Sequence, residues 1–141
     1  MISYASQNDF TLSNEEEISH WIQEVITKES LELGDLSFVF CSDDFLHEMN
    51  LEYLAHDTLT DIITFDYREG GVLSGEIYIS TDRVEENAKE FSGSFEEELH
   101  RVMIHGVLHI CGYNDLSDTE EKQMRAKEDW ALALRKFKTN K

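Results

Sequence analysis

Proline is absent from all 141 residues, so every turn must be made by glycine, asparagine, aspartate or serine. There are only two cysteines, Cys41 and Cys111, in apolar segments. They are too few for a disulfide framework and suit free buried thiols in a reducing cytoplasm. No apolar run approaches the roughly 20 residues that a membrane-spanning helix needs, and the first ten residues lack the basic start and apolar stretch of a secretory signal. A cytoplasmic protein with no membrane attachment is therefore expected. Basic residues are also scarce: 12 Lys and Arg face 30 Asp and Glu, for a net charge of −18. Nucleic-acid binders usually carry a basic footprint, so this charge weighs against RNA and DNA. The shortage is uneven. Arg125, Lys127, Arg135, Lys136, Lys138 and Lys141 gather near the C-terminus, and a bound divalent ion would add local positive charge that the count omits.

What is present is enough apolar material, 40% of residues with 11% aromatic, for one real core. With no repeats and no break in composition, a single domain over residues 1–141 is expected. Met1 to Ala5 reads as a short strand. Ser13 and Glu16 have the spacing of a capping box, and Ile18, Trp21, Ile22, Val25 and Ile26 recur at helical spacing, predicting a helix over 14–31 that Gly34 breaks. Residues 36–41 are β-rich, and Ser42 can cap a helix to about Leu54. A polar joint follows. Residues 62–67 and 75–80 then predict two strands, joined through 68–71 as an antiparallel hairpin. Thr81 is positioned to cap a helix to about Phe91, Ser94 with Glu97 a longer one through Ile110, and Ser117 with Glu120 a last one. The class is α+β, a small sheet packed with about five helices.

The most informative stretch is His105-Gly-Val-Leu-His109-Ile-Cys-Gly112-Tyr-Asn-Asp115. Histidines four apart on a helix share one face, so both imidazoles can reach one ion. Gly112 can end the helix in a left-handed conformation and turn the chain back, bringing Asp115 toward the rings. Three ligands with a fourth position open describe a catalytic zinc site rather than a closed structural one. Either histidine alone is more simply a polar position on a buried helix; it is the pair, the glycine and the carboxylate together that point to metal. Zinc peptidases carry a glutamate general base directly after the first histidine. Here that residue is Gly106, which holds no proton. Asp57, Asp61 and Glu76 flank the strands and His56 shares the polar joint; spacing singles out none of them, and Asp61 and His56 join His105 and His109 as the catalytic candidates. His20, His47 and His100 are expected at the surface or partly packed. Tyr113 either supports a ligand or simply packs.

The run Asn50-Leu-Glu-Tyr-Leu-Ala-His-Asp-Thr-Leu-Thr-Asp-Ile-Ile-Thr-Phe65, then Gly75-Glu-Ile-Tyr-Ile-Ser80, then His105 to Tyr113, resembles the YbeY family. That family comprises metal-dependent bacterial endoribonucleases linked to ribosomal RNA maturation. The resemblance implies a mixed sheet, a zincin-like helix carrying the ligands and one Zn²⁺, although other transition metals suit the donors too. It further implies single-strand-specific cleavage of RNA in 16S rRNA 3′-end maturation and ribosome quality control, with RNA and the ribosome as partners. Two departures stand out. Family members read H-G-x-L-H-x-x-G-Y-D-H, and Asp115 stands where they have a third histidine. A carboxylate lowers the positive charge of the cluster, which predicts a weaker Lewis acid. Leu54 falls where many relatives carry an arginine thought to contact RNA phosphate, so Arg68 or Arg101 would have to substitute. Two rival readings remain: a metallohydrolase of another small phosphoester, and a non-catalytic ribosome-associated metal-binding protein.

Overall fold

Nine elements follow one another along the described residues: β1 (Ile2–Ser6), α1 (Glu15–Lys28), β2 (Glu32–Cys41), α2 (Asp43–Leu54), β3 (Ile62–Asp66), β4 (Val72–Ser80), α3 (Thr81–Glu90), α4 (Phe95–Cys111) and α5 (Asp118–Ala133). The computed structural model describes residues 1–54 and 60–137, with the backbone alone at Leu54. His56, Asp57, Lys138, Lys141 and the Leu54 side chain thus lie outside the described residues.

The strands form one mixed sheet in the order β1-β2-β4-β3. β1 pairs in parallel with β2, which α1 separates in sequence; β2 pairs in parallel with β4, and β3 pairs antiparallel with β4. Four strands and five helices make the α+β class expected from the sequence. The hairpin closes at Gly70 and Gly71, where Glu69 and Val72 exchange backbone hydrogen bonds of 3.1 and 3.0 Å. Gly70 sits at φ 58°, which a β-carbon would disfavour.

The sheet's two faces differ in what covers them. Leu36, Phe38, Ile77 and Ile79 share the main core with the buried face of α4 and the Ile18-Trp21-Ile22-Val25-Ile26 stripe of α1. Cys41, Leu46 and Ile63 form a smaller cluster under α2, with Phe65 and Tyr78 against it. Side chains alternate along a strand, so Glu76 projects with Tyr78, whose hydroxyl donates to it at 3.4 Å, and away from α4. Glu76 is thereby removed from the metal-helix side of the sheet. Both thiols are free, and burial pushes each up to about 12, so neither is a ready thiolate ligand.

Several local expectations give way to better-satisfied alternatives. No capping box forms at Ser13 and Glu16: Asn14 precedes α1 at φ 61° without a side-chain cap, and Glu15, Glu16 and Glu17 face the positive end of the helix. Gly34 does not end α1, which stops at Lys28 and reverses through Ser30 at φ 64°. Gly34 instead lies in β2 beside an irregular register with β4, where an added β-carbon would overlap the Ser74 hydroxyl. Ser80 rather than Thr81 caps α3, accepting from the Arg83 N–H at 3.1 Å. Ser117 and Glu120 form the expected reciprocal box.

His100 is a clearer correction, being 1% exposed. Its Nδ1 meets Arg135 Nη1 at 2.9 Å, and its ring packs against Trp21 and Phe137. Burial, with the Arg135 charge added, lowers its pKa to about 4 against the opposing pull of Glu97. The fold therefore holds a neutral imidazole that the unfolded chain would protonate near pH 6.5. That contribution is complete above pH 6.5 and is lost as the pH falls toward 4, reaching about 2–3 kcal/mol by pH 4.5. In urea titrations, wild type is expected to lose that much more stability between pH 7 and 4.5 than His100→Gln, which keeps an acceptor for Arg135. Parallel pH slopes for the two proteins would refute this.

Candidate metal centre

Arg101, His105 and His109 stand one turn apart along a single face of α4. Gly106, next to the first histidine, lets this helix lie close on the sheet: a β-carbon there would come within 3.0 Å of side-chain carbons of Ile62 and Ile77. A glycine where zinc peptidases have glutamate thus has a packing reason. The helix then ends in a Schellman motif. Tyr113 N–H donates to Leu108 C=O at 3.1 Å and Gly112 N–H to His109 C=O at 3.0 Å, with Gly112 at φ 115°. The Tyr113 hydroxyl donates to Glu29 Oε1 at 2.7 Å, and Lys127 holds the other oxygen of Glu29 at 2.6 Å. Tyr113 therefore ties the reversal to the end of α1, and Asp115 is carried back between the rings before α5 begins.

Asp115 Oδ2 lies 3.3 Å from His105 Nε2 and 3.6 Å from His109 Nε2, and the candidate ligand atoms of the three residues all fall within 4.8 Å of one another. Donors about 2.0–2.2 Å from a tetrahedral zinc ion stand roughly 3.3–3.5 Å apart. Two imidazoles and a carboxylate with this spacing fit such an ion. The rings meet edge to face, their centroids 4.7 Å apart. Burial, with His105 beside it, lowers the His109 pKa and favours the neutral ring that a ligand requires.

Behind His105 lies a residue that the sequence did not announce. Glu128 of α5, 6% exposed, sets Oε2 at 2.6 Å from His105 Nδ1 and Oε1 at 2.7 Å from Arg101 Nη1. Burial alone would raise the carboxyl, but hydrogen bonds from His105 and Arg101 outweigh it and hold Glu128 below its ordinary value. Burial likewise works against the His105 imidazolium, yet Glu128, then Asp115 and Asp61, carry its pKa upward. With Nδ1 turned to Glu128, Nε2 faces the cluster, the arrangement of a carboxylate–histidine–metal triad. One signal could have found it: Glu128 shares the buried face of α5 with Met124 and Ala131, and a carboxylate in an apolar phase calls for a partner.

A cleft of about 280 Å³ opens beside the triad, with His105 and Asp115 in its wall. Asp61 lines it as well, its backbone C=O accepting from Ser80 N–H at 3.0 Å. Burial holds the Asp61 carboxyl above its ordinary value against the pull of His105 and Arg83. Asp61 is thus brought to the site, whereas Glu76 is not, and His56 and Asp57 fall outside the described residues. Neither arginine expected to substitute at Leu54 is free. Arg68 donates to Gly70 C=O at 2.9 Å and to Cys111 C=O at 3.0 Å, closing the end of α4. Arg101 is held between Glu128 and Asp129, 2.6 Å from the latter.

The family described as Endoribonuclease YbeY matches residues 3–135, nearly the whole chain. The chain belongs to the YbeY family. Similar YbeY relatives include Endoribonuclease YbeY of Christiangramia forsetii, 53% identical over 133 residues covering 94% of this chain and 93% of the relative. Endoribonuclease YbeY of Flavobacterium psychrophilum is 51% identical over 140 residues, 99% of this chain and all of that one. Among solved structures, that of TM1509 from Thermotoga maritima superposes with a TM-score of 0.69 at 32% identity, covering 95% of this chain and 88% of that one.

Proposed function

We propose that this chain is a zinc-dependent endoribonuclease of single-stranded RNA, one domain acting in the cytoplasm in 16S rRNA 3′-end maturation and ribosome quality control. The observation that carries the reading is the His105–His109–Asp115 cluster opening on a cleft, with a buried carboxylate behind one imidazole. Relatives named as endoribonucleases along almost the full chain support the substrate class. No helix among the described residues is long and apolar enough to cross a membrane.

His105 and His109 would present Nε2 to the ion, and Asp115 would present Oδ2. Once bound, such an ion supplies Lewis acidity to a phosphoryl oxygen and makes nearby water more acidic. Glu128 keeps the His105 ring turned to the cluster, and Gly112 keeps Asp115 within reach. Burial favours a proton on the Asp61 carboxyl, which suits it to hand that proton to the oxygen leaving the cut chain. A second reading, hydrolysis of a small phosphoester, is favoured by the carboxylate-rich cleft, where Asp61, Glu98, Asp115, Glu121 and Glu128 outnumber two arginines.

Elemental analysis of the purified protein and its Asp115→Ala variant, paired with cleavage of a single-stranded oligoribonucleotide, tests the proposal. The wild type is expected to hold about one zinc per chain and to cut the oligomer, and the variant to do neither. Equal metal in both would move the third ligand elsewhere. Inhibition by small phosphodiesters at concentrations where RNA oligomers fail to compete would favour the second reading.

A further inference from the structure

Metal ligands alone do not explain how so acidic a cleft receives a polyanion. An RNA strand laid across it must bring its phosphates past several carboxylates, and like charges at this range repel. A cation that is both exposed in the cleft and free to change partners would answer that need.

Four of the five arginines are committed elsewhere. Arg68 closes the C-terminal end of α4, Arg83 pairs with Asp43 at 3.2 Å, Arg101 bridges Glu128 and Asp129, and Arg135 joins His100 and Glu97. Arg125 differs. It lines the cleft from α5, its side chain is 63% exposed, and its ion pair with Glu128 is long, at 4.0 Å. Glu128 loses little if that contact breaks, because Arg101 and His105 still hold both of its oxygens at 2.7 and 2.6 Å. The same carboxylate places Arg125 close to the metal cluster: one of its oxygens faces the guanidinium and the other touches His105.

We infer that Arg125 is the side chain that takes up an RNA phosphate next to the metal cluster, an inference that rests on the ribonuclease reading above. A guanidinium offers two parallel donors to a phosphate, a geometry that a lysine cannot match. The weak pair with Glu128 holds the side chain over the cleft until a phosphate displaces it. Its role is in binding substrate, so its loss should appear in affinity and in salt dependence.

The test compares wild type, Arg125→Ala and Arg125→Lys in two assays. One is fluorescence anisotropy of a labelled single-stranded oligoribonucleotide on the metal-free protein. The other is steady-state cleavage with zinc added. Arg125→Ala is expected to raise both Kd and KM roughly tenfold, with a smaller effect on kcat, and to flatten the slope of log Kd against log salt by about 0.7, the loss of one phosphate contact to a single strand. Arg125→Lys should restore the salt slope but only part of the affinity, which separates charge from the two-donor geometry. Wild-type Kd, KM and salt slope in Arg125→Ala, with RNA still cleaved, would overturn this inference and leave the ribonuclease reading standing. A wild-type protein that neither binds nor cuts the oligomer would overturn both.

Discussion

His109→Ala is expected to leave a folded protein whose zinc-dependent cleavage of single-stranded RNA falls by at least about 10³-fold in kcat/KM, roughly 4 kcal/mol of transition-state stabilisation. His109 is the better residue to remove, because His105 has a second task. Replacing His105 would strip Glu128 of one of its two close partners and combine a folding penalty with the loss of a ligand. The His109 ring is partly exposed, and among the described residues only Asp115 lies within ion-pair range of it, at 3.6 Å. Alanine there removes a ligand without leaving a buried charge unpaired, and alanine is a good helix former near the end of α4. The loss of activity should therefore come with nearly unchanged urea unfolding and with metal content well below one per chain. Undiminished cleavage in the presence of zinc would remove the metal mechanism altogether.

Parts of the fold that depend on local chemistry were legible in the sequence. The stripe of α1, the hairpin at Gly70 and Gly71, and the Ser117–Glu120 box were recognisable because period, turn residues and cap spacing act within a few residues. Local sequence is ambiguous where two local options compete and tertiary contacts choose between them. Gly34 looks like a helix stop, but the approach of Ser74 and Val72 in β4 is what requires a residue without a β-carbon there. Histidine is ambivalent by composition, and only the surrounding Trp21, Phe137 and Arg135 make His100 a core residue.

The site divides in the same way. His105, His109 and Asp115 could be read together because one helix turn and one glycine-made reversal bring them together, all within eleven residues. Asp61 was readable only as a candidate, since its approach to the cleft depends on β3 packing beside α4. Arg101 looked like a free cation because its partners, Glu128 and Asp129, lie 27 and 28 residues away on α5. The acidity of the whole chain likewise concealed how cations are distributed. What matters to a phosphate is which guanidinium is uncommitted, and that depends on helix packing rather than on composition.

Glu128→Ala is the second change expected to have a large effect, and the metal site should register it as well as the fold. Without the carboxylate, His105 Nδ1 loses its acceptor, and either ring nitrogen can carry the proton that Glu128 now fixes on the side away from Asp115. Carboxylates that orient a metal-binding histidine typically contribute 10- to 100-fold to affinity, so zinc measured by chelator competition should bind about that much more weakly. Arg101 keeps Asp129 at 2.6 Å and is partly exposed, which limits the stability cost to about 1–3 kcal/mol for the unpaired imidazole N–H and the lost bridge. Glu128→Gln separates orientation from charge. Its amide oxygen can still accept from Nδ1–H, so it should recover most of the zinc affinity while leaving Arg101 facing a neutral group. Recovery by glutamine, in binding and in cleavage together, would mark Glu128 as a residue that aims His105; zinc affinity unchanged in the alanine variant would show that helix packing alone fixes the ring.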